Sequence, residues 1–356
     1  SSVSATSSAL YVTLLENVKG NLRRFEWNRV ERSWTSTPID FEGTGTIAVS
    51  STDAFSDVIF VNYEGYLMPD QLYVYDGGSD APKVIKSLPK RFDASGAMVQ
   101  QLEATSADGV KIPYFLVSPK GKAEAGPVLL YGYGGFEVSL TPRYMASFGK
   151  LWLERGGSFV IANIRGGGEF GPRWHKAALK ENRQRAFDDF IGVGEDLVKR
   201  ELTTPAQLGI MGGSNGGLLM GASFTQRPDL FKAVVCQVPL LDMLRYTKLL
   251  AGASWAAEYG DPDKPEMRAV IEKYSPYQNL KADVTYPKVF FLTSTKDDRV
   301  HPGHARKMAA RMLAMDKPVY YYENTEGGHA ASANQKQRAR RLALEFVYLS
   351  SMLGLK

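Results

Sequence analysis

The chain changes its pattern near residue 88, from short β-rich runs to strands that alternate with helices. Beyond that point, apolar runs predict strands at 128–131, 159–162, 208–211, 233–238, 289–292 and 319–322. Helical patterns lie near 184–200, 215–226, 303–315 and 334–352. Strands that are apolar almost throughout are typical of a mostly parallel sheet whose two faces are covered by helices. The second part of the chain is therefore predicted to be an α/β domain.

A glycine-rich turn at 212–217, with the sequence GGSNGG, follows the third of these strands and precedes a helical run. Such a strand, turn and helix hold Ser214 in strained geometry with its hydroxyl exposed, while small residues on either side let strand and helix pass closely. We interpret the stretch as a nucleophile elbow, although a glycine-rich loop without chemistry has the same local pattern. With the strand order, the turn predicts an α/β-hydrolase domain over residues 88–356.

Residues 9–87 contain β-rich runs at 10–14, 22–27, 46–49, 58–61 and 72–75, and the last of these forms a hairpin with 84–85 across the turn DGGSD at 76–80. A propeller blade has four strands in about 40–50 residues, so residues 1–87 supply about two blades and cannot close a ring. We therefore expect the chain to be the C-terminal portion of a longer protein that carries an incomplete β-propeller. A small independent sheet is the alternative.

Composition excludes several classes of function. A net charge of +5 is mild for 356 residues, and the basic cluster at 336–341 lies on a helical pattern as a solvated face, so no nucleic-acid binding is expected. No apolar run approaches the length of a membrane helix, and the first residues lack the features of a signal peptide. Cys236, in an apolar run, is interpreted as a buried, inert thiol. We expect a monomer in the cytoplasm or periplasm, without membrane contact.

A serine nucleophile needs a base, and in this fold the base follows the last strands of the sheet. Of the four histidines, His175 precedes the serine, and His301 and His304 lie after the strand at 289–292. His329 alone follows the strand at 319–322, beside two glycines that let its loop reach Ser214. We take His329 as the candidate base, with a solvent-exposed loop histidine as the alternative.

The acid that orients the base is expected at the end of the preceding strand, where Asp297 and Asp298 are adjacent. Residue chemistry does not choose between them, and we expect the one that is not used to pair with Arg299 or to bind turn amides. His301 and His304 beside these carboxylates could suggest a metal site, but no further ligand cluster lies nearby. No metal is expected.

Two glycine-rich loops follow the first two strands of the α/β part. The loop at 131–136, YGYGGF, is placed to supply a donor to a developing oxyanion beside the backbone amide of Asn215. A phosphate-binding loop is the competing interpretation, and the spacing of the glycines fails that pattern. The run at 165–171, RGGGEFG, fails it as well, and its role is left open between a wall of the site and a structural turn.

These motifs together resemble the prolyl oligopeptidase family of serine peptidases. They are YGYGGF at 131–136, NIRGGGEFG at 163–171, GGSNGG at 212–217, DDRV at 297–300 and GH at 328–329. They occur in the family's order over about residues 93–356, and the first segment resembles the last blades of the family's propeller. The resemblance implies that an N-terminal segment and most of a seven-bladed propeller are absent from this chain.

The resemblance also assigns roles that residue chemistry left open. It implies that Asp297 is the acid, that the Tyr133 hydroxyl belongs to the oxyanion hole, and that Arg299 binds a main-chain carbonyl of the substrate. It implies that Trp255 stacks on a substrate proline ring and that Tyr259 and Phe136 line the same pocket. The chain departs from the prolyl pattern around Trp255, whose neighbours are Ala256, Ala257 and Glu258. Glu258 leaves room for a related peptidase that cuts after Lys or Arg.

The sequence therefore predicts a serine endopeptidase that hydrolyses short peptides after proline through an acyl-enzyme, without a metal or organic cofactor. Its expected partners are short proline-containing peptides and the missing N-terminal part of the same protein, whose propeller would exclude large folded substrates. An esterase or dipeptidyl peptidase on the same fold, a non-enzymatic binding protein and an inactive fragment are the alternatives.

Overall fold

The computed structural model describes residues 2–77, 79, 81–121 and 125–355 of the chain. It divides into two compact units, one of Ser1–Val99 with Thr141–Glu154 and one of Gln100–Leu140 with Arg155–Lys356. Two residues of the turn expected at 76–80, Gly78 and Asp80, lie outside the described residues.

The first unit contains two four-stranded antiparallel sheets. Their strands are β1 (Ser2–Ala5), β2 (Ala9–Glu16), β3 (Lys19–Asn28) and β4 (Ser33–Ile39), then β5 (Gly45–Thr52), β6 (Val58–Gly65), β7 (Gln71–Asp76) and β8 (Lys83–Ser87). One helix, α1 (Ala146–Leu151), belongs to the same unit. Each sheet has the strand number of a propeller blade. Membership of a propeller stays a prediction, as does the domain boundary at 87/88.

Alternating burial explains these sheets. In β2 the buried residues are Ala9, Tyr11 and Thr13, and they alternate with partly exposed neighbours, as expected when one face of a sheet packs on a core. All the β-rich runs expected between residues 9 and 87 are strands. β1 and β4 were not anticipated, because β1 is short and polar and β4 is an exposed edge strand that contains Pro38.

The second unit is built on an eight-stranded mixed sheet with the order β16-β15-β14-β13-β11-β12-β10-β9. Its strands are β9 (Ala97–Thr105), β10 (Lys111–Pro119), β11 (Val128–Tyr131), β12 (Ser158–Ala162), β13 (Leu208–Gly213), β14 (Ala233–Gln237), β15 (Lys288–Ser294) and β16 (Val319–Asn324). From β12 to β16 across the sheet, every pair is parallel, whereas β10 runs antiparallel to β12. The predicted α/β sheet is confirmed, and β13 lies inside it.

The helices of this unit are α2 (Pro172–Lys176), α3 (Gln184–Lys199), α4 (Asn215–Gln226), α5 (Ala256–Tyr259), α6 (Pro265–Tyr274), α7 (Pro276–Asn279), α8 (Gly303–Ala314) and α9 (Gln335–Leu353). The four long ones, α3, α4, α8 and α9, confirm the helical patterns. The four others were missed, because three of them are single turns of four or five residues and α6 has only ten.

The central strands are buried on both faces, which is why they contain almost no polar residues. Leu129, Leu130 and Ile210 are fully buried, and α4 and α9 both pack on β13 and β14. Cys236 lies in β14, where burial raises the pKa of its thiol, so the expectation of a buried thiol is confirmed. No helix in the described part of the chain has both the length and the apolarity to cross a bilayer.

Candidate active site

Ser214 lies in the sharp turn between β13 and α4. Its backbone has φ 60° and ψ −118°, in the left-handed region that costs a non-glycine residue free energy. Ser214 N donates to Gln237 O at 2.9 Å, which ties the turn to the neighbouring strand β14. A Cβ atom on Gly212 would lie 2.6 Å from the carbonyl oxygen of Gly216, so the turn closes only because this position is glycine. This is the geometry expected of a nucleophile elbow.

A histidine and an aspartate meet beyond the carboxyl ends of β15 and β16. Asp297 Oδ2 lies 2.8 Å from His329 Nδ1, and Asp297 Oδ1 lies 3.0 Å from the same nitrogen. Asp297 is buried and its Oδ1 also accepts from the backbone N–H groups of Arg299 and Val300, both at 2.9 Å. Asp298 is exposed. We expected the unused carboxylate to pair with Arg299 or to bind turn amides, and the two turn amides bind Asp297 instead.

Polar side chains at the ends of β15 and β16 hold the loop that carries His329. Asn324 Oδ1 accepts from the N–H groups of Glu326 and Gly327 at 2.9 and 2.8 Å. The Ser294 hydroxyl donates to Gly327 O, which connects β15 to the same loop. Sequence reasoning missed both residues, although an Asn three residues before a Gly-Gly pair is a turn signal.

Most of the predicted site residues converge on one cavity of about 260 Å³. It is lined by Tyr133, Phe136, Ser214, Leu240, Trp255, Tyr259, Arg299 and His329. Leu240 was not predicted, since it is an apolar residue in a loop after β14. Asp297 and Asn215 do not line the cavity, and each contacts a residue that does.

Tyr133 and Asn215 lie beside the serine. Burial raises the pKa of the Tyr133 hydroxyl, and the smaller effect of its hydrogen bond with Ser214 lowers that pKa. The phenol therefore keeps its proton at neutral pH and can donate it in a hydrogen bond. Asn215 is the first residue of α4, and a backbone N–H at that position has no acceptor within its own helix. Two donors are thus available next to the Ser214 hydroxyl.

Aromatic side chains form one side of the cavity. Phe136 and Tyr259 pack edge to face with ring centroids 5.7 Å apart, and the buried Tyr259 hydroxyl donates to Asn215 Oδ1 at 2.7 Å. Trp255 is half-buried at the end of the 3₁₀ turn Leu250–Trp255 and packs against the hydrophobic core. Arg299 is exposed and reaches the cavity from the loop after β15.

Comparison with known proteins identifies the family. The model of the prolyl oligopeptidase family matches residues 144–356. The chain belongs to this peptidase family. That result confirms the resemblance found in the sequence motifs.

Curated relatives and a solved structure match between 84% and 100% of the chain. An uncharacterized peptidase of Sinorhizobium fredii is 52% identical over 350 residues, which are 98% of this chain and 48% of that protein. A prolyl endopeptidase of Elizabethkingia miricola is 38% identical over 305 residues, 84% of this chain and 43% of that protein. The solved structure of a post-proline cleaving enzyme from Rickettsia typhi has a TM-score of 0.91 and 37% identity, over 100% of this chain and 52% of that one. The chain thus spans about half the length of the curated relatives it matches.

Glu258 is not one of the cavity residues in this prolyl oligopeptidase family member. It is buried, and its carboxylate accepts from Phe136 N at 2.9 Å and from Arg183 Nη1 at 3.0 Å. Its other oxygen lies 2.8 Å from His175 Nε2. The acidic residue that suggested a basic substrate is therefore already paired inside the protein.

The family motif at 165–171 supports the loop that carries Tyr133. Arg165 is buried, with its guanidinium on the carboxylates of Asp189 and Asp108. Gly166 has φ 94°, and a Cβ atom there would lie 2.4 Å from Gly134 O in the opposite loop. The motif, whose role the sequence left open, is a structural turn that packs against the loop that carries Tyr133.

The histidines after β15 have structural partners. His304 is buried in α8, and its Nδ1 accepts from the N–H groups of Leu241 and Asp242 at 3.2 and 3.1 Å. His301 Nδ1 accepts from Gly303 N at 2.9 Å. Across the described ranges, no group of three or more His, Cys, Asp or Glu side chains is arranged to hold a metal ion.

Proposed function

We propose that Ser214, His329 and Asp297 are the catalytic triad of a serine endopeptidase that hydrolyses short peptides on the carboxyl side of proline. The observation that carries the proposal is the hydrogen bond between His329 Nδ1 and buried Asp297, with His329 and Ser214 facing the same cavity. An aspartate on Nδ1 fixes the ring so that Nε2 is the nitrogen left to accept a proton.

The reaction follows from these positions. Ser214 Oγ attacks the carbonyl carbon of the substrate while His329 Nε2 accepts the hydroxyl proton, and Asp297 stabilises the imidazolium that forms. The negative charge on the carbonyl oxygen is stabilised by the Asn215 N–H and the Tyr133 hydroxyl. His329 then returns the proton to the leaving amine, and water hydrolyses the acyl-enzyme by the same route in reverse order.

Proline selectivity is supported by the shape and chemistry of the cavity. A volume of about 260 Å³ bounded by Trp255, Phe136 and Tyr259 offers flat aromatic faces to a rigid apolar ring. Arg299, a permanently charged fork of donors at the rim, is suited to a main-chain carbonyl of the substrate. A sequence relative is described as a prolyl endopeptidase, and a solved structure with this fold is described as a post-proline cleaving enzyme.

Cleavage after Lys or Arg is less well supported. A cationic side chain in the cavity would need a carboxylate partner, and none of the residues that line the cavity is acidic. The nearest candidate from the sequence, Glu258, is bound to Arg183 and His175. Arg299 would also repel a second positive charge.

We also propose that the two antiparallel sheets of the first unit are blades of a β-propeller. Each sheet has four strands, and the relatives are about twice as long as this chain. In the natural full-length protein we expect short peptides to be the substrates and the remaining propeller to be part of the same polypeptide.

Replacement of the nucleophile tests the proposal. In the natural full-length protein, Ser214→Ala should lower hydrolysis of a blocked chromogenic Gly-Pro substrate by at least about 10³-fold, because the acyl-enzyme no longer forms. Blocked peptides with Pro, Ala or Lys before the scissile bond should be cleaved in that order of preference. Persistent cleavage by the pure variant would overturn the assignment. A strict need for a free amino terminus would favour the dipeptidyl peptidase alternative, and a preference for short acyl esters would favour the esterase.

A further inference from the structure

A buried arginine that the proposed reaction does not use lies directly behind the site. Arg183, at the start of α3, has no exposed surface. Its Nη2 donates to Asn215 Oδ1 at 2.6 Å and its Nη1 donates to Glu258 Oε1 at 3.0 Å. One guanidinium therefore joins the residue after the nucleophile to a residue of α5.

The first acceptor, Asn215, has its side chain held at both ends. Its Nδ2 donates to Tyr133 O at 2.5 Å, and its Oδ1 accepts from Tyr259 as well as from Arg183. A Cβ atom on Gly135 would lie 2.6 Å from this amide, so the loop packs directly against it. Because Asn215 and Tyr133 carry the proposed oxyanion donors, this side chain connects the two residues that supply them.

The second acceptor, Glu258, holds the part of the cavity lining that Phe136 forms. The oxygen that accepts from Arg183 also accepts from Phe136 N at 2.9 Å. Phe136 and Glu137 have φ of 55° and 56°, a left-handed conformation that costs a non-glycine residue about 1–2 kcal/mol. Such backbone persists only where its surroundings impose it. The Glu258 carboxylate is one of the groups that impose it here.

The guanidinium itself has little freedom. It lies over the ring of Tyr259 at 5.1 Å and over the ring of Phe187 at 5.7 Å, both measured to the ring centroid. A planar fork between two rings can serve two acceptors at once, whereas a lysine ammonium is a single point of charge.

We propose that Arg183 is a positioning residue. By donating to Asn215 and Glu258 at the same time, it fixes the Asn215 side chain and the backbone of Phe136 relative to each other. The inference rests on the proposed function of Ser214 and adds the residue that keeps the oxyanion site and the proline pocket aligned. Arg183 acts through Asn215 and Glu258 and touches no substrate.

Two substrates separate the two effects of Arg183. A small activated acyl ester reports on the oxyanion side, and the ratio of kcat/KM for blocked peptides with Pro or Ala before the scissile bond reports on the pocket. In the full-length protein, Arg183→Met should lower kcat on the ester by about 10- to 100-fold, and it should lower the Pro/Ala ratio at least threefold. Arg183→Lys should fold more readily than Arg183→Met. It should still show about a tenfold loss in either kcat on the ester or the Pro/Ala ratio of kcat/KM.

A purely structural role predicts a different pattern. If Arg183 only neutralises Glu258, the double variant Arg183→Met with Glu258→Gln, which removes both charges, should regain wild-type kcat and selectivity. The positioning role predicts that the double variant stays at least tenfold impaired on the ester. Arg227→Met is the control, because Arg227 pairs with two surface carboxylates, Glu195 and Asp229, away from the site.

The outcomes are distinguishable from a failure of the proposed function. If Ser214→Ala is inactive and Arg183→Lys matches the wild type in both readouts, the role of Arg183 is refuted and the triad stands. Recovery of the double variant to within twofold of the wild type would refute it as well. If Ser214→Ala retains activity, the proposed function itself fails.

Discussion

The Nδ1 atom of His329 faces a single buried carboxylate, with 2.8 Å to Asp297 Oδ2 and 3.0 Å to Asp297 Oδ1. The same carboxylate accepts two backbone N–H groups, from Arg299 and Val300. Four contacts therefore fix the position of Asp297, and Asp297 in turn fixes the imidazole. The proposed triad depends on this relationship more than on any other.

Removal of the charge on Asp297 should abolish most of the activity. Asp297→Asn keeps the shape but presents an amide to His329, so the ring loses its imposed tautomer and kcat should fall by about 10⁴-fold. The matched control is Asp298→Asn at the adjacent exposed carboxylate, which should change kcat less than twofold. Steady-state hydrolysis of a blocked Gly-Pro substrate measures both, and a reversed order of the two losses would assign the acid to Asp298.

Loss of the indole at Trp255 should affect proline substrates selectively. Trp255→Ala removes one aromatic face of the cavity, and kcat/KM for a proline peptide should fall about tenfold, equivalent to about 1.4 kcal/mol. Trp255→Phe retains a ring and should lose less. Equal losses for proline and alanine peptides would show that Trp255 does not contact the proline ring.

Gly212 lies so close to the backbone of Gly216 that position 212 has no room for a side chain. In Gly212→Ala the new methyl group would lie 2.6 Å from the backbone oxygen of Gly216, and neither side of this contact is a flexible side chain. We expect a loss of about 1–3 kcal/mol in the free energy of unfolding and a fall of about 100-fold in kcat/KM.

Gly96→Ala is the control for the elbow variant, because nothing lies within 4 Å of the added methyl group. Its stability should stay within about 0.5 kcal/mol of the wild type. Activity of Gly212→Ala close to that of Gly96→Ala would contradict the observed turn geometry.

Buried His304 should make the fold sensitive to acid. Burial lowers the pKa of His304 from 6.5 to about 4, an effect only partly offset by Asp242, while Lys307 and His301 act in the same direction as burial. Between these pH values the unfolded chain binds a proton that the folded protein does not, so stability falls as the pH decreases from about 6.5 to about 4.

His304→Asn tests this dependence, because its side-chain oxygen can replace Nδ1 as the acceptor for Leu241 N and Asp242 N without titrating. Urea unfolding of the variant and the wild type at pH 7 and pH 4 gives the comparison. The stability of the wild type relative to the variant should fall by about 3 kcal/mol between the two pH values. A constant difference would show that His304 does not lose its proton on folding.

Periodicity predicted the architecture of the second unit well, because strands buried on both faces and long amphipathic helices leave strong patterns. The strand that ends at Gly213 and the helix that begins at Asn215 were both expected, so Ser214 could be placed in the turn between them. Single-turn helices such as α5 were missed, since four residues are too few to show a helical period.

Local sequence could not decide which of two adjacent carboxylates contacts His329. Asp297 and Asp298 have the same chemistry, and only the path of the chain after β15 buries one and exposes the other. The role of Arg183 could not be predicted from the sequence for a similar reason. Its partners, Asn215 and Glu258, are 32 and 75 residues away, and no local pattern connects them.

Covalent trapping tests the central claim most directly. A peptidyl phosphonate with a proline analogue at the position before the scissile bond should form one adduct, which peptide mapping by mass spectrometry should locate on Ser214. The proline reagent should label the natural full-length protein at least tenfold faster than its lysine counterpart, and Asp297→Asn should suppress labelling. An adduct on another residue, or faster labelling by the lysine reagent, would contradict the assignment of a post-proline serine peptidase.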